Sequence, residues 1–149
     1  EDFTITTQTD MLETTDRILK VVSMAVGGIG AISLLVGAIG ILTMMWISVS
    51  ERTSEIGVSM AIGATRRQIL WLYLTEAAML SSLGGVLGVI VGIGLAQLLK
   101  AAVPGLPVHT PMEYVLFALL VSLAVGLTSG ILPARRAASM DPIEALAAE

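Results

Sequence analysis

Cysteine is absent from these 149 residues, which excludes disulfides, thiolate nucleophiles and cysteine-ligated metals. Histidine occurs once, at His109, and no group of carboxylates has metal-ligand spacing, so no metal site is expected. Charge is scarce too. Asp, Glu, Lys and Arg make up 13% of the chain, about half the usual share of a soluble domain. Aromatics are 4% and the eight basic residues are scattered, so nucleic acid is not an expected partner. No G-x-x-x-x-G-K-[ST] occurs, which excludes ATP binding through a P-loop in this chain. The net charge of −4 says little about partners, because the acids cluster before Arg17. No catalytic residue is expected. Ser81, Ser82 and Ser129 lie in apolar runs and His109 sits among prolines, so hydrogen bonding along or between helices suits these serines better than a Ser–His pair.

What is abundant is apolar surface. The chain is 55% hydrophobic with a mean hydropathy of +0.89, and its apolar runs are long enough to cross a bilayer. The predicted fold is an all-α integral membrane bundle of three transmembrane helices. Val21–Val49 is the first span, Ile69–Leu99 the second and Tyr114–Ala134 the third. Each carries small residues at four-residue intervals: Ser23, Gly27 and Ala31; Gly84, Gly88, Gly92 and Ala96; Ala118, Ser122, Gly126 and Gly130. Small residues at this spacing let backbones approach in lipid, where packing drives association. The ridges therefore predict a compact bundle or a tight oligomer, with Met44, Met45 and Met60 as packing residues.

Ahead of the first span, Glu1–Thr9 is rich in Thr, Ile and Phe and reads as a terminal strand or extended lead-in. Asp10 and Glu13 spell a capping box that would open a helix over Met11–Ser50, about 60 Å long at 1.5 Å per residue. A bilayer core takes about 30 Å, so Asp10–Lys20 is expected to project as a stalk. The chain opens on Glu1 with no signal peptide ahead of it, so an upstream part is expected. Lys100–Glu113, with its prolines, is a loop between spans. Pro133 is expected to end the third span, with Arg135 and Arg136 following at the interface. Asp141, Pro142, Ile143 and Glu144 then read as N-cap, N1, N2 and N3 of a brief terminal helix.

Between the first two spans lies Glu51–Gln68, ERTSEIGVSMAIGATRRQ, whose charges contrast with a charge-free Val21–Ser50. A short helix over Glu51–Ala64 would gather Glu51, Glu55 and Ser59 on one face with Arg52 beside them, and Ile56 and Met60 on a second. Gly63 offers the helix stop, and Thr65 with Gln68 a new capping box. Solvation of an interfacial turn would account for the charges, whereas charge combined with an apolar face suits docking of something outside the membrane. Glu76, an acid in an apolar run, is expected near the interface, wet or paired with Arg52, Arg66 or Arg67. Arg52, Arg66, Arg67, Arg135 and Arg136 outnumber Arg17, Lys20 and Lys100. That puts the charged helix and the C-terminus in the cytoplasm, and the leader and proline loop outside.

ERTSEIGVSMAIGATRRQI, the glycine-ridged span after it, and LPARRAASMDPIEAL together resemble the C-terminal half of the FtsX-like permease family, the membrane subunits of MacB-type ABC transporters. The resemblance covers nearly the whole chain, though the family's first span, most of its extracytoplasmic domain and any ATPase are not in it. It implies that residues 1–10 end an extracytoplasmic domain and residues 11–149 form the permease domain, with a C-terminal tail over 135–149. It implies a dimer of permease subunits, homo- or heteromeric, in the bacterial cytoplasmic membrane. A cytoplasmic ATPase, carrying the ATP and Mg that this chain itself does not bind, would grip a coupling helix at Glu51–Ala64. Glu51, Arg52, Glu55, Ile56, Gly57, Met60, Gly63 and Ala64 are then the coupling residues, with Ile56 and Met60 against the ATPase and the charges at the rim. Pro133, Arg135, Arg136, Asp141, Pro142 and Glu144 form the family's C-terminal motif. The implied work is mechanical: ATP-driven closure moves a stalk, and substrate is exported or extracted on the far side. The alternative is a regulatory or scaffolding relative that activates a partner such as a periplasmic cell-wall hydrolase.

Overall fold

The computed structural model describes residues 2–102 and 111–146, with side chains described from Asp10 onward except those of Glu144 and Leu146. Five helices follow one another: α1 (Asp2–Glu51), α2 (Thr53–Ala61), α3 (Arg66–Ala102), α4 (Met112–Ala138) and α5 (Pro142–Leu146). Three of them, over Asp10–Glu51, Arg66–Ala102 and Met112–Ala138, are long and apolar enough to cross a membrane. The proline-loop residues 103–110, His109 among them, lie outside the described residues.

The chain divides into two compact units, Glu1–Val36 and Gly37–Glu149. The first is the N-terminal part of α1. Its helix is already running at Asp2, which corrects two expectations. Residues 2–9 are helical rather than extended, because β-propensity decides little where no strand is available to pair with among the described residues. Asp10 and Glu13 accordingly fall inside the helix and cap nothing. The Thr14 and Thr15 hydroxyls donate to the carbonyls of Asp10 and Met11, four residues back, at 2.8 Å each. Ser33 does the same toward Ile29 at 2.9 Å, which satisfies its hydroxyl without a neighbour inside an apolar run.

The second unit is built on an antiparallel pair, α3 against α4. A methyl group built on Gly130 would lie 2.5 Å from Ala77 Cβ, and one on Gly85 would lie 2.8 Å from Ser122 Oγ. Gly126 lies closest of all, with the Ser81 side chain occupying the space a Cβ would need. Toward the far end the helices part around a shallow cleft lined by Val89, Gly92, Ile93 and Ala96 of α3 and by Tyr114, Val115 and Ala118 of α4. Each four-residue step forward on α3 is met by a four-residue step back on α4. The Ser122 hydroxyl donates to the Ser81 carbonyl at 3.0 Å, the one side-chain hydrogen bond joining these two helices among the described residues.

Ser122, Gly126 and Gly130 thus lie on this seam. Gly84, Gly88 and Gly92 do not: among the described residues no packing neighbour comes within 4 Å of where their Cβ atoms would be. The α3 ridge in contact is Ala77, Ser81, Gly85 and Val89, offset by one residue from the glycines the sequence emphasised. With Gly84 and Gly85 adjacent, four-residue spacing alone cannot choose the register.

Pro133 does not end the third span, as expected of it, but lies inside α4, which continues to Ala138. A helix-interior proline forfeits a hydrogen bond and crowds the preceding turn, at a cost of about 3 kcal/mol. Here the turn beyond it is held by packing. Pro133 is fully buried, and Ala134, Ala137 and Ala138 after it join a core with Met45 and Val49 of α1, Ile56 of α2, and Ile69, Tyr73 and Ala77 of α3. This core sits at the end of the unit where α2 and α5 lie. Away from it, α3 and α4 leave their apolar side chains outward, as helices do when lipid is the solvent.

The seam yields a direct test. Gly126→Val is expected to destabilise the protein by about 1–3 kcal/mol or more through overpacking. Gly84→Ala, in open space on the same helix pair, should stabilise by about 0.5–1 kcal/mol through helix propensity. Unfolding of both variants in mild detergent would check the pair.

Candidate functional site

The chain leaves α1 at a single non-helical residue, Arg52, with φ −102° and ψ 20°. Its N–H still donates to the Ser48 carbonyl at 3.1 Å, and the Thr53 hydroxyl reaches back to the Val49 and Ser50 carbonyls at 3.1 and 2.9 Å. α2 is shorter than the predicted Glu51–Ala64. Glu51 closes α1, while Gly63 and Ala64 belong to the exit. That exit is a Schellman motif. Gly63 takes φ +113°, where a side chain would be strained; its N–H donates to Met60 at 3.1 Å and that of Ala64 to Ser59 at 2.9 Å. Two residues later the predicted capping box is formed: Thr65 N–H donates to Gln68 Oε1 at 2.8 Å, and Gln68 N–H to Thr65 Oγ1 at 3.3 Å.

These two motifs fix which face of α2 turns inward. Ile56 is 4% exposed, Gly57 is buried and Met60 is half-buried against the same core. Ile56 and Met60 were expected to face a partner; instead they anchor α2 to its own chain. Burying the isoleucine stabilises by about 1.5–3 kcal/mol, which fastens a nine-residue helix too short to hold alone. The outward face carries Glu55 and Val58, and Ile62, the C-cap residue just past Ala61, continues their line at i+7. Ile62 is 84% exposed, more than any other large hydrophobic side chain among the described residues, and it lies outside all three spanning helices. Glu51, Arg52, Arg66 and Arg67 are exposed around it. Glu76 is half-buried, one turn beyond the buried Tyr73. The α2–α3 junction is therefore a mixed-charge rim over an apolar core.

The C-terminal motif closes the same end. Arg135 is exposed, and the Arg136 guanidinium carbon lies over the Trp46 ring, 4.6 Å from its centroid. Asp141 caps α5 as predicted, its Oδ1 accepting from Ile143 N–H at 2.9 Å, and Pro142 begins the helix. α5 packs on α2. The Glu144 side chain is outside the described set. Ser81 and Ser129 donate their hydroxyl protons to the Ala78 and Val125 carbonyls, at 3.1 and 2.7 Å. No cluster of metal-ligating side chains occurs among the described residues. Sequence reading missed Trp46, Tyr73, Val58 and Ile62. A tryptophan near a span's end was a usable signal, and so was the i, i+3, i+7 spacing of Glu55, Val58 and Ile62.

Three spanning helices, a short helix seated between two of them, and a capped terminal helix packed against it define an α-helical membrane protein with a built non-membrane end. Residues 27–142 match the FtsX-like permease C-terminal family. The chain is 43% identical over its whole length to the macrolide export ATP-binding/permease protein MacB of Marinobacter nauticus, covering 23% of that protein. It is 40% identical over its whole length to the pyoverdine export ATP-binding/permease protein PvdT of Pseudomonas syringae pv. tomato, covering 22%. To the uncharacterized ABC transporter permease YvrN of Bacillus subtilis it is 44% identical, over 83% of the chain and 30% of that relative. The chain thus spans about a quarter of the length of the curated relatives it matches. It belongs to the FtsX-like permease family, as the C-terminal region of a MacB-type permease.

The two faces of α2 should respond differently to truncation. Ile56→Ala is expected to cost about 2–5 kcal/mol of stability. Ile62→Ala should stay within about 0.5 kcal/mol of the parent. Chemical denaturation in detergent, followed by far-ultraviolet circular dichroism, would measure both.

Proposed function

We propose that this chain is the mechanical part of an ATP-driven exporter, transmitting a conformational change from cytoplasmic ATPases across the bacterial inner membrane. The observation that carries this reading is the outer face of α2. Val58 and Ile62 stand exposed outside the spanning helices, while Ile56 pins the other side of the same short helix into the core. A partner that grips Val58 and Ile62 moves α2, and Ile56 hands the displacement to the core formed by α1, α3 and α4. The exposed Glu51, Arg52, Glu55, Arg66 and Arg67 form the rim that selects and orients the ATPase. ATP and Mg belong to that partner. A second permease subunit completes the transporter, homo- or heteromeric, and the exposed glycine edge of α3 at Gly84 and Gly88 suits close contact with it. Export as the outcome is supported by relatives named for macrolide and pyoverdine export. The ATPases drive the change only if they bind two arrangements of the permease with different affinity.

In this reading residues 1–10 end an extracytoplasmic domain, and Asp10–Lys20 and the 100–113 loop lie outside the membrane. Glu51–Gln68 and the tail 135–149 face the cytoplasm. The excess of Lys and Arg beside α2 and α5 supports that orientation.

Photocrosslinking tests the contact without needing the substrate. p-Benzoylphenylalanine at Ile62 or Val58 should form an adduct with the ATPase, whereas at the buried Ile56 it should not. Ile62→Asp should lower export at least tenfold while membrane insertion persists. Adducts at none of these positions, with export intact in Ile62→Asp, would overturn the coupling assignment.

Orientation has its own test, made clean by the absence of native cysteine. Single cysteines at Thr14, Ile62 and Ser139 would be treated in whole cells with an impermeant thiol reagent. Labelling is expected at Thr14 alone; labelling of Ile62 from outside would reverse the topology.

A further inference from the structure

Where the end of α1 meets the turn between α4 and α5, a cleft of about 240 Å³ is lined by Ser50, Thr53, Arg136, Met140, Asp141 and Ala145. It is smaller than the about 300–1,000 Å³ of sites that take drug-sized ligands, and suits a compact polar group. Its chemistry is two-signed. Arg136 lines it with a guanidinium whose Cζ lies 4.6 Å from the Trp46 ring centroid, and no hydrogen bond engages its N–H groups among the described residues, so paired donors are on hand for an oxyanion such as phosphate. Asp141 uses Oδ1 to cap α5 and keeps a second carboxylate oxygen. The Ser50 hydroxyl donates to the Trp46 carbonyl at 2.9 Å, and the Thr53 hydroxyl to the Val49 and Ser50 carbonyls. With their protons committed, both hydroxyls offer a ligand only lone pairs. The cleft therefore holds one strong donor of paired N–H groups and three acceptors. That set fits a ligand with an anionic phosphate and a primary ammonium with three N–H donors.

The cleft also sits where such a ligand is available. Ser50 is one residue from the end of the spanning helix α1, and Arg136 is two from the end of α4. Approaching it along the same side of α1, Ile39 and Ile47 are 56% and 51% exposed, an apolar surface for acyl chains. Trp46, five residues from the end of α1, is of the residue type enriched where spanning helices meet headgroups. We infer that the Arg136–Asp141 cleft binds the headgroup of a phosphatidylethanolamine lipid from the leaflet adjoining α2. Arg136 takes the phosphate, while Asp141, Ser50 and Thr53 receive the ammonium. Phosphatidylcholine fits poorly because its quaternary nitrogen has no N–H to give. Phosphatidylglycerol brings no cation, so Asp141 repels it. The proposal concerns the lipid face and does not depend on the coupling role of α2.

The test uses the purified protein, delipidated in detergent, with native mass spectrometry and thermal unfolding as readouts. Phosphatidylethanolamine should be retained at least tenfold better than phosphatidylcholine or phosphatidylglycerol of the same acyl chains, and should raise the unfolding temperature the most. Asp141→Asn keeps a competent helix cap and should erase the preference for phosphatidylethanolamine over phosphatidylglycerol without lowering the lipid-free unfolding temperature. Arg136→Gln should lose retention of phosphatidylethanolamine. Equal retention of the three lipids by the parent protein would overturn the inference. So would a preference for phosphatidylethanolamine that survives Asp141→Asn. A thermal shift by soluble phosphoethanolamine as large as that of the lipid would overturn the assignment to a membrane lipid.

Discussion

Lipid gives two apolar helices no hydrophobic reason to associate, so the pairing of α3 with α4 depends on van der Waals contact at a separation that only small residues permit. Ala77 against Gly130, Ser81 against Gly126 and Gly85 against Ser122 supply that contact at one-turn intervals. The Ser122–Ser81 hydrogen bond sets the register along it. Everything at the α2 end builds on this pairing. Ala77 belongs both to the seam and to the core that receives Met45, Val49 and Ile56. Met45 also lies beside Gly130, with Sδ 3.1 Å from where its Cβ would be, so α1 docks into the same groove the seam creates.

The continuation of α4 past Pro133 has a related cause. A proline in mid-helix is tolerated when the residues after it gain more by packing than the lost hydrogen bond costs. Ala134 and Ala137 are wholly buried and Ala138 nearly so, and none has a side chain long enough to keep α1 and α3 at a distance. The extra turn also carries Arg136 to Trp46 and brings α5 to α2. A helix ending at Pro133 would leave the short helices without a floor.

How much of this was legible in the sequence differs by kind of signal. The three spans were plain, because runs of twenty or more apolar residues have no other common explanation. The Gly63 stop, the Thr65–Gln68 box and the Asp141 cap were legible because each motif is local and satisfies named backbone groups. The inward face of α2 was not. Ile56 and Met60 are apolar whether they meet a partner or their own core, and only the tertiary position of Tyr73 and Ala134 decides between the two. The strand at the N-terminus failed for the complementary reason: β-propensity decides little where the described residues include no strand to pair with. Pro133 misled because the local rule is right about the cost and blind to the packing that offsets it.

Arg52 separates α1 from α2 by one residue, so the change of direction falls on one φ and one ψ, with helix-like hydrogen bonds continuing on either side. The exit from α2 toward α3 is different in kind. Four residues intervene, Ile62 to Thr65, and the Schellman motif and the capping box hold them with interlocking hydrogen bonds. In the proposed coupling role, a short rod between a one-residue joint and a braced bend would work as a crank. Force on its free face would turn it about the joint, and the bend would carry the rotation into α3 instead of dissipating it in a slack loop.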